Sequence, residues 1–181
     1  MGLFDFLKKK ADAKLEEERL KKERLLQWQK AVMIDSPDQL IMTEQQLKAI
    51  TVQQAEDDLR IIQDSIKLIE TTLKPDVFFM RLKLLYEKLA HLCNIEQYIE
   101  FTGGVPSAAY HEFSNDYDEA IKQFLIRYFS DTFDKAESMK TEKGRIGKYQ
   151  KFYDSLQEYY YYMNDENIEY IETKYNAYTR K

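Results

Sequence analysis

Cysteine, proline and glycine are all scarce in this chain: one, three and five residues respectively among 181. The single cysteine, Cys93, excludes a disulfide within the chain and any multi-cysteine zinc site, and it suits a reducing compartment. Few glycines and prolines leave few turns, which disfavours an all-β fold. There is no glycine-rich loop to cradle a phosphate, no serine-centred elbow and no strand pattern from which either could hang. These absences argue against an enzyme, and no cofactor or small-molecule substrate is implied. No apolar run approaches the roughly 18 residues of a membrane span, and the start "MGLFDFLKKKADAK" lacks the apolar core of a secretory signal. Gly2 opens like a myristoylation signal, but Phe6 stands where that signal wants Ser or Thr. A cytoplasmic location is the expectation.

What is present in quantity is charge and helix-forming sequence. Charged residues make up 33% and the net charge is −5. Residues 1–30 hold nine Lys/Arg against six Asp/Glu, so this segment is +3 and the remainder −8. An acidic body disfavours general nucleic-acid binding.

Residues 3–34 read as one long charged helix without Gly or Pro. Its apolar residues gather at the ends, Leu3, Phe4, Leu7 and Ala11 at one and Leu25, Trp28 and Val32 at the other. The Lys/Arg/Glu-rich middle reads as solvated, with Glu17–Lys21 and Glu18–Lys22 spaced for ion pairs. "DSPDQ" breaks this helix at Pro37. Thr43 with Gln46 is a capping-box signature. It precedes a heptad-like seam of Ala55, Leu59, Ile62, Ile66, Ile69 and Leu73.

Pro75 suits the first position of a new helix, so a helical hairpin is expected there. The returning helix carries Phe78, Leu82, Leu85, Leu89, Leu92 and Ile99 on one face, and "TGGVP" at 102–106 ends it. A fourth helix begins near Ser107 with Tyr110, Phe113, Tyr117, Ala120, Phe124 and Tyr128, running to about Met139. Gly144 and Gly147 suggest a turn or frayed start. After it come Ile146, Tyr149, Tyr153, Leu156, Tyr160 and Met163, then a cap at Asn164 or Asp165, then Ile168, Ile171, Tyr175 and Tyr178. The spacing leaves open whether these last segments are one helix or two. The predicted fold is therefore all-α: an antiparallel bundle of about five helices over 43–181, with a charged, partly packed helical arm at 1–35.

Three surfaces are candidate binding sites. At the amino terminus Leu3, Phe4 and Leu7 precede Lys8, Lys9 and Lys10, a pattern that fits a partner helix or an anionic membrane interface. In the four-tyrosine run Tyr159–Tyr162, continued helical register places Tyr159 and Tyr160 on the core side. It leaves Tyr161 and Tyr162 on the wet face as partner contacts. Around 135–151, Lys140, Lys143, Arg145 and Lys148 with nearby tyrosines could hold an anion or nucleic acid, although lysines around a turn are commonly just solvated.

Metal binding has little to recommend it. Glu87 and His91 are four apart on the polar side of their helix, but dimetal bundles use Glu-x-x-His, and none occurs. His111 with Glu112 and Asp116 sits at a helix start, where acidic residues are expected in any case. Both histidines read as ordinary surface residues, and Cys93 as a small core residue.

"KPDVFFMRLKLLYEKLAHL" at 74–92 and "KTEKGRIGKYQKFYDSLQEYYYYM" at 140–163, with the "MGLFDFLKKK" start, resemble small helical proteins of Gram-positive bacteria that have no assigned activity. The resemblance implies an intracellular helical protein and carries over no catalytic residues. The expected function is non-enzymatic interaction with a protein partner or a second copy, through the arm or the tyrosine-rich end. Peripheral membrane association and nucleic-acid binding are the alternatives.

Overall fold

A computed structural model describes the backbone of residues 3–32, 41–99 and 105–180 and the side chains of 12–32, 41–99 and 116–180. Every regular element among the described residues is helical. The order is α1 (Leu3–Ala31), α2 (Glu44–Thr71), α3 (Pro75–Ile95), α4 (Val105–Tyr128), α5 (Asp134–Glu137), α6 (Glu142–Gln157) and α7 (Asp165–Thr179). The expected breaks at "DSPDQ" and at 102–104, and the side chains of Tyr110, His111, Glu112 and Phe113, lie outside the described residues.

Local sequence signals account for most helix ends. The capping box forms: Thr43 Oγ1 accepts from Gln46 N at 3.3 Å while Gln46 Oε1 accepts from Thr43 N at 3.0 Å. Pro75 occupies the first turn of α3, where its missing N–H costs nothing. The short Thr72–Lys74 connection then folds α2 and α3 into an antiparallel hairpin. Asn164, rather than Asp165, caps α7, accepting from Asn167 N at 2.9 Å. The last two segments are two helices. Gly144 and Gly147 mark no turn; both lie inside α6, whose cap Thr141 accepts from Gly144 N at 3.3 Å.

Ring contacts give the topology. Phe78 meets Phe124 and Tyr86 meets Tyr117, so α4 runs back along α3. Phe133 meets Tyr149 and Tyr128 meets Phe152, so α6 opposes the α4–α5 rod. Phe129 meets Tyr170 and Phe133 meets Tyr178, which makes α7 parallel to that rod. The bundle thus comprises two up-down-up units, α2/α3/α4 and α4–α5/α6/α7, that share one long helix.

A π turn at Phe129–Phe133 lies between α4 and α5 and was not foreseen in the sequence. Its extra residue advances the buried face, so that Tyr128 and Phe129 are followed inward by Phe133 and Ala136. Arg127 ties the first unit together from outside, donating from Nη2 to Ile69 O at 2.9 Å and from Nη1 to Glu70 O, carbonyls at the end of α2.

The α3 seam is buried as expected from Phe78 to Leu92, but the helix ends at Ile95 rather than at the glycines of 102–106, so Ile99 is buried from an extended segment beyond a tight turn at Glu96–Tyr98. The α2 seam is corrected at two steps. Asp58 and Ser65 are the residues fully buried at those steps; Leu59 is 41% exposed, and Ile66 is half-buried at the edge of the core. Bulky Leu82, Leu85, Leu89 and Leu92 fill the α3 side, and small Thr51, Ala55 and Ser65 let α2 approach them. Ile146 is likewise exposed rather than in the α6 seam, and Cys93 is half-buried rather than in the core.

The glycines of α6 separate two effects. A Cβ on Gly147 meets nothing within 4 Å, so Gly147→Ala should raise stability by about 0.5–1 kcal/mol, read as a higher urea midpoint with an unchanged slope. A Cβ on Gly144 would sit 2.8 Å from the capping Thr141 Oγ1. Gly144→Ala should therefore show no gain or a net loss.

Candidate functional site

The three surfaces singled out in the sequence belong to different elements: the start of α1, the turn after α6, and the segment that leads into α6 with its first turns. Leu3, Phe4, Leu7, Lys8, Lys9 and Lys10 belong to α1, but their side chains lie outside the described ones. From residue 12 to residue 24 every side chain of α1 is exposed, as the charged middle implied, and Arg19 pairs with Glu16 at 2.6 Å. Leu15 and Leu20 are 65% and 53% exposed. The last turns are docked: Trp28 stacks on Tyr98 with centroids 5.0 Å apart and donates to Thr51 Oγ1 at 2.8 Å. Gln29 Oε1 accepts from Met42 N at 3.2 Å.

The tyrosine run corrects the helical reading. Helix α6 stops at Gln157, and Tyr160–Tyr162 form a single tight turn, so heptad positions no longer apply. Tyr159 and Tyr162 both stack on Phe79, at 4.6 and 5.7 Å, and both are half-buried. Tyr162 is therefore not on a wet face. Only Tyr161, 74% exposed, is left as a surface aromatic in the run.

In the basic segment two of the four named cations have duties within the fold. Arg145 donates to Met139 O at 3.2 Å, and Lys148 lies 5.9 Å from the centroid of the Phe152 ring. Lys140 and Lys143 are exposed.

The most unusual chemistry lies elsewhere, in residues that sequence reasoning passed over. Asp58, 3% exposed, receives Lys88 Nζ on Oδ1 at 2.8 Å and His91 Nδ1 on Oδ2. A carboxylate only accepts, so His91 donates from Nδ1 and presents Nε2 on its far side. His91 is thus not an ordinary surface histidine; its side chain is 9% exposed. Nor does it pair with Glu87, which lies 3.8 Å from Lys83. The cluster lines an open groove of about 760 Å3 between α2 and α3, whose rim carries Asp57 and Glu87. His91 Nε2 and Gln54 Oε1 are both shielded from solvent and without hydrogen-bond partners. The only sequence signal was negative: an aspartate in phase with the buried Ala55, Ile62 and Ile69.

Among the described residues no three His, Cys, Asp or Glu side chains come together to hold a metal, and no helix is long and apolar enough to cross a membrane. No family model, curated protein or solved structure matches the chain.

Buried phenols shape the alkaline limit of stability. Tyr160 is raised well above its ordinary value of 10.0, chiefly by burial and then by Tyr153 and Glu172. Tyr178 is raised likewise, chiefly by burial and then by its hydrogen bond to Asp134. Below pH 10 both phenols are neutral folded or unfolded. Above it the unfolded chain ionises first, so stability falls as pH rises toward the folded values. Urea midpoints should hold up to about pH 9 and then drop, less steeply in Tyr160→Phe and Tyr178→Phe.

The acid cluster has its own signature. Asp58→Ala leaves the partly buried Lys88 without its counter-charge and His91 Nδ1 without its acceptor, and should cost about 3–5 kcal/mol. Replacing all three residues together, as Asp58→Leu, Lys88→Met and His91→Leu, should recover most of that loss, read from the same urea titrations.

Proposed function

We propose that this chain is a non-enzymatic helical interaction protein whose amino-terminal helix is the contacting arm. The observation that supports this reading is the contrast within α1. Trp28, Ala31 and Val32 are buried, while the stretch from residue 12 to residue 24 is covered by nothing among the described residues. Leu15 and Leu20 stand out on that stretch amid Lys, Arg and Glu. Exposed leucines on a preformed charged helix supply apolar anchors, and the surrounding charges supply register and partner choice. The stretch 12–24 carries five Lys/Arg and five Asp/Glu, so it has no net charge and suits a protein surface of mixed charge better than a polyanion.

The arm should be cut before Leu25, because a cut after residue 30 removes Trp28 from the core. A photo-reactive phenylalanine analogue at Leu15 or Leu20 should give discrete protein adducts in cells, and one at Met80, 58% exposed on the body, should not. Leu15→Asp with Leu20→Asp should abolish those adducts and leave stability within about 0.5 kcal/mol. Equal labelling from Met80 would sink the reading. Pelleting with anionic vesicles that is lost in a chain starting at residue 23 would replace the protein partner with a membrane surface.

A further inference from the structure

We propose that the groove between α2 and α3 takes up a cationic hydrogen-bond donor, a primary ammonium or guanidinium group on an aliphatic stem. The site is independent of the arm. Its inner end is built around the His91 ring, which Asp58 holds through Nδ1. That bond fixes which way Nε2 faces, and Lys88, at 2.8 Å, already balances the Asp58 charge. With Nδ1 turned to Asp58, Nε2 is the ring atom left to accept when the imidazole carries a single proton, and it has no partner, on a side chain more than nine-tenths buried.

Gln54 provides the second acceptor. Its amide nitrogen is committed to Val32 O at 2.9 Å, which turns Oε1 the other way, where it too has no partner. Both residues line the same groove. Two shielded acceptors on one groove are costly if left unmade and are satisfied together by one group with several N–H donors. The charge selects among donors: Asp57, Asp58 and Glu87 line the groove with Lys88, and the pairs that Asp57 makes with Arg60 at 3.0 Å and Glu87 with Lys83 at 3.8 Å are exposed and screened, so a cation is favoured over an anion there. Ile61 and Ala90 supply the apolar wall for a stem. The exposed side chain of Glu87 at the rim can swing aside without disturbing the Lys88–Asp58 pair.

The same chemistry is offered by a free alkylamine and by a lysine side chain of another protein. The experiment separates them. The chain has two histidines, so a long-range proton–nitrogen correlation spectrum shows two imidazoles, and His111→Gln assigns the one that belongs to His91. The full chain is titrated with n-butylammonium, with a lysine-containing acetylated peptide amide, and with tetramethylammonium at equal ionic strength.

The proposal expects a saturable shift of His91 Nε2 with the first two probes and none with tetramethylammonium, which has charge but no N–H. Whichever of the first two half-saturates at lower concentration identifies the source. Gln54→Met should weaken binding about tenfold, the loss of one hydrogen bond to a charged group. Glu87→Gln, on the exposed rim and outside any fold contact that matters, should weaken it about threefold. An unmoved His91 signal, an equal shift with tetramethylammonium, or undiminished binding in Glu87→Gln would each overturn the proposal. The last of these holds even if Gln54→Met does not fold.

Discussion

Phe124 lies nearly parallel to Phe78 with ring centroids 4.1 Å apart and meets Phe79 edge-on at 6.0 Å. Phe79 in turn stacks on Tyr159 and Tyr162. These contacts join the first helical unit, α2/α3/α4, to the turn that links α6 and α7. The rest of the structure depends on them, because α4 and its continuation α5 belong to both units. One long helix can serve two neighbours at different azimuths only if its buried face shifts along its length. The π turn at Phe129–Phe133 makes that shift by one extra residue, and Phe129 and Phe133 at its ends are both buried. Large flat rings suit such a junction: they bury much area with few rotatable bonds, and their stacking and edge contacts fix orientation as well as proximity.

The parts of this fold legible in the sequence are those decided within one helix. Apolar spacing along α3 predicted its buried face from Phe78 to Leu92, and local capping chemistry predicted the start of α2 and the hairpin at Pro75. What was not legible was decided by a neighbour. In α2 Leu59 yielded to Asp58 and Ile66 shares its step with the fully buried Ser65, because facing leucines on α3 take a small partner and the aspartate meets Lys88 and His91 there. Heptad counting treats apolar residues as interchangeable and has no knowledge of the opposing surface. The tyrosine run failed for a related reason. Its register was extrapolated through a helix that ends at Gln157, and Phe79, eighty or more residues earlier in the chain, decides where Tyr159 and Tyr162 go.

The same division explains why candidate binding residues fared unevenly. Exposed charge on α1 was predictable, since a stretch with almost no apolar residues has nothing to bury. The groove was not, since its character arises where two helices bring unlike residues together: Gln54 and Asp58 from one, Lys88 and His91 from the other. A buried carboxylate paired with an ammonium contributes little net stability compared with an apolar replacement, because desolvation offsets most of the attraction. Its place in the seam is thus better explained by the directional groups it holds in position than by its contribution to folding.

A helix with an uncovered span such as residues 12–24 needs a source of order, because starting a helix in water is unfavourable while extending one costs little. Trp28 supplies that start. Its stacking on Tyr98 and its hydrogen bond to Thr51 hold the carboxyl-terminal turns of α1 in helical form, and Ala31 and Val32 are buried beside it. From that nucleus the strong helix formers upstream, with the Glu16–Arg19 pair, extend the helix into solvent without packing. The distinction matters for binding. A disordered arm would lose conformational entropy when it engaged a partner, whereas an arm nucleated at its docked end has already met much of that cost in folding. On the proposed reading of the arm, the tryptophan that anchors α1 to the bundle also sets how well ordered Leu15 and Leu20, farther along the helix, are before a partner meets them.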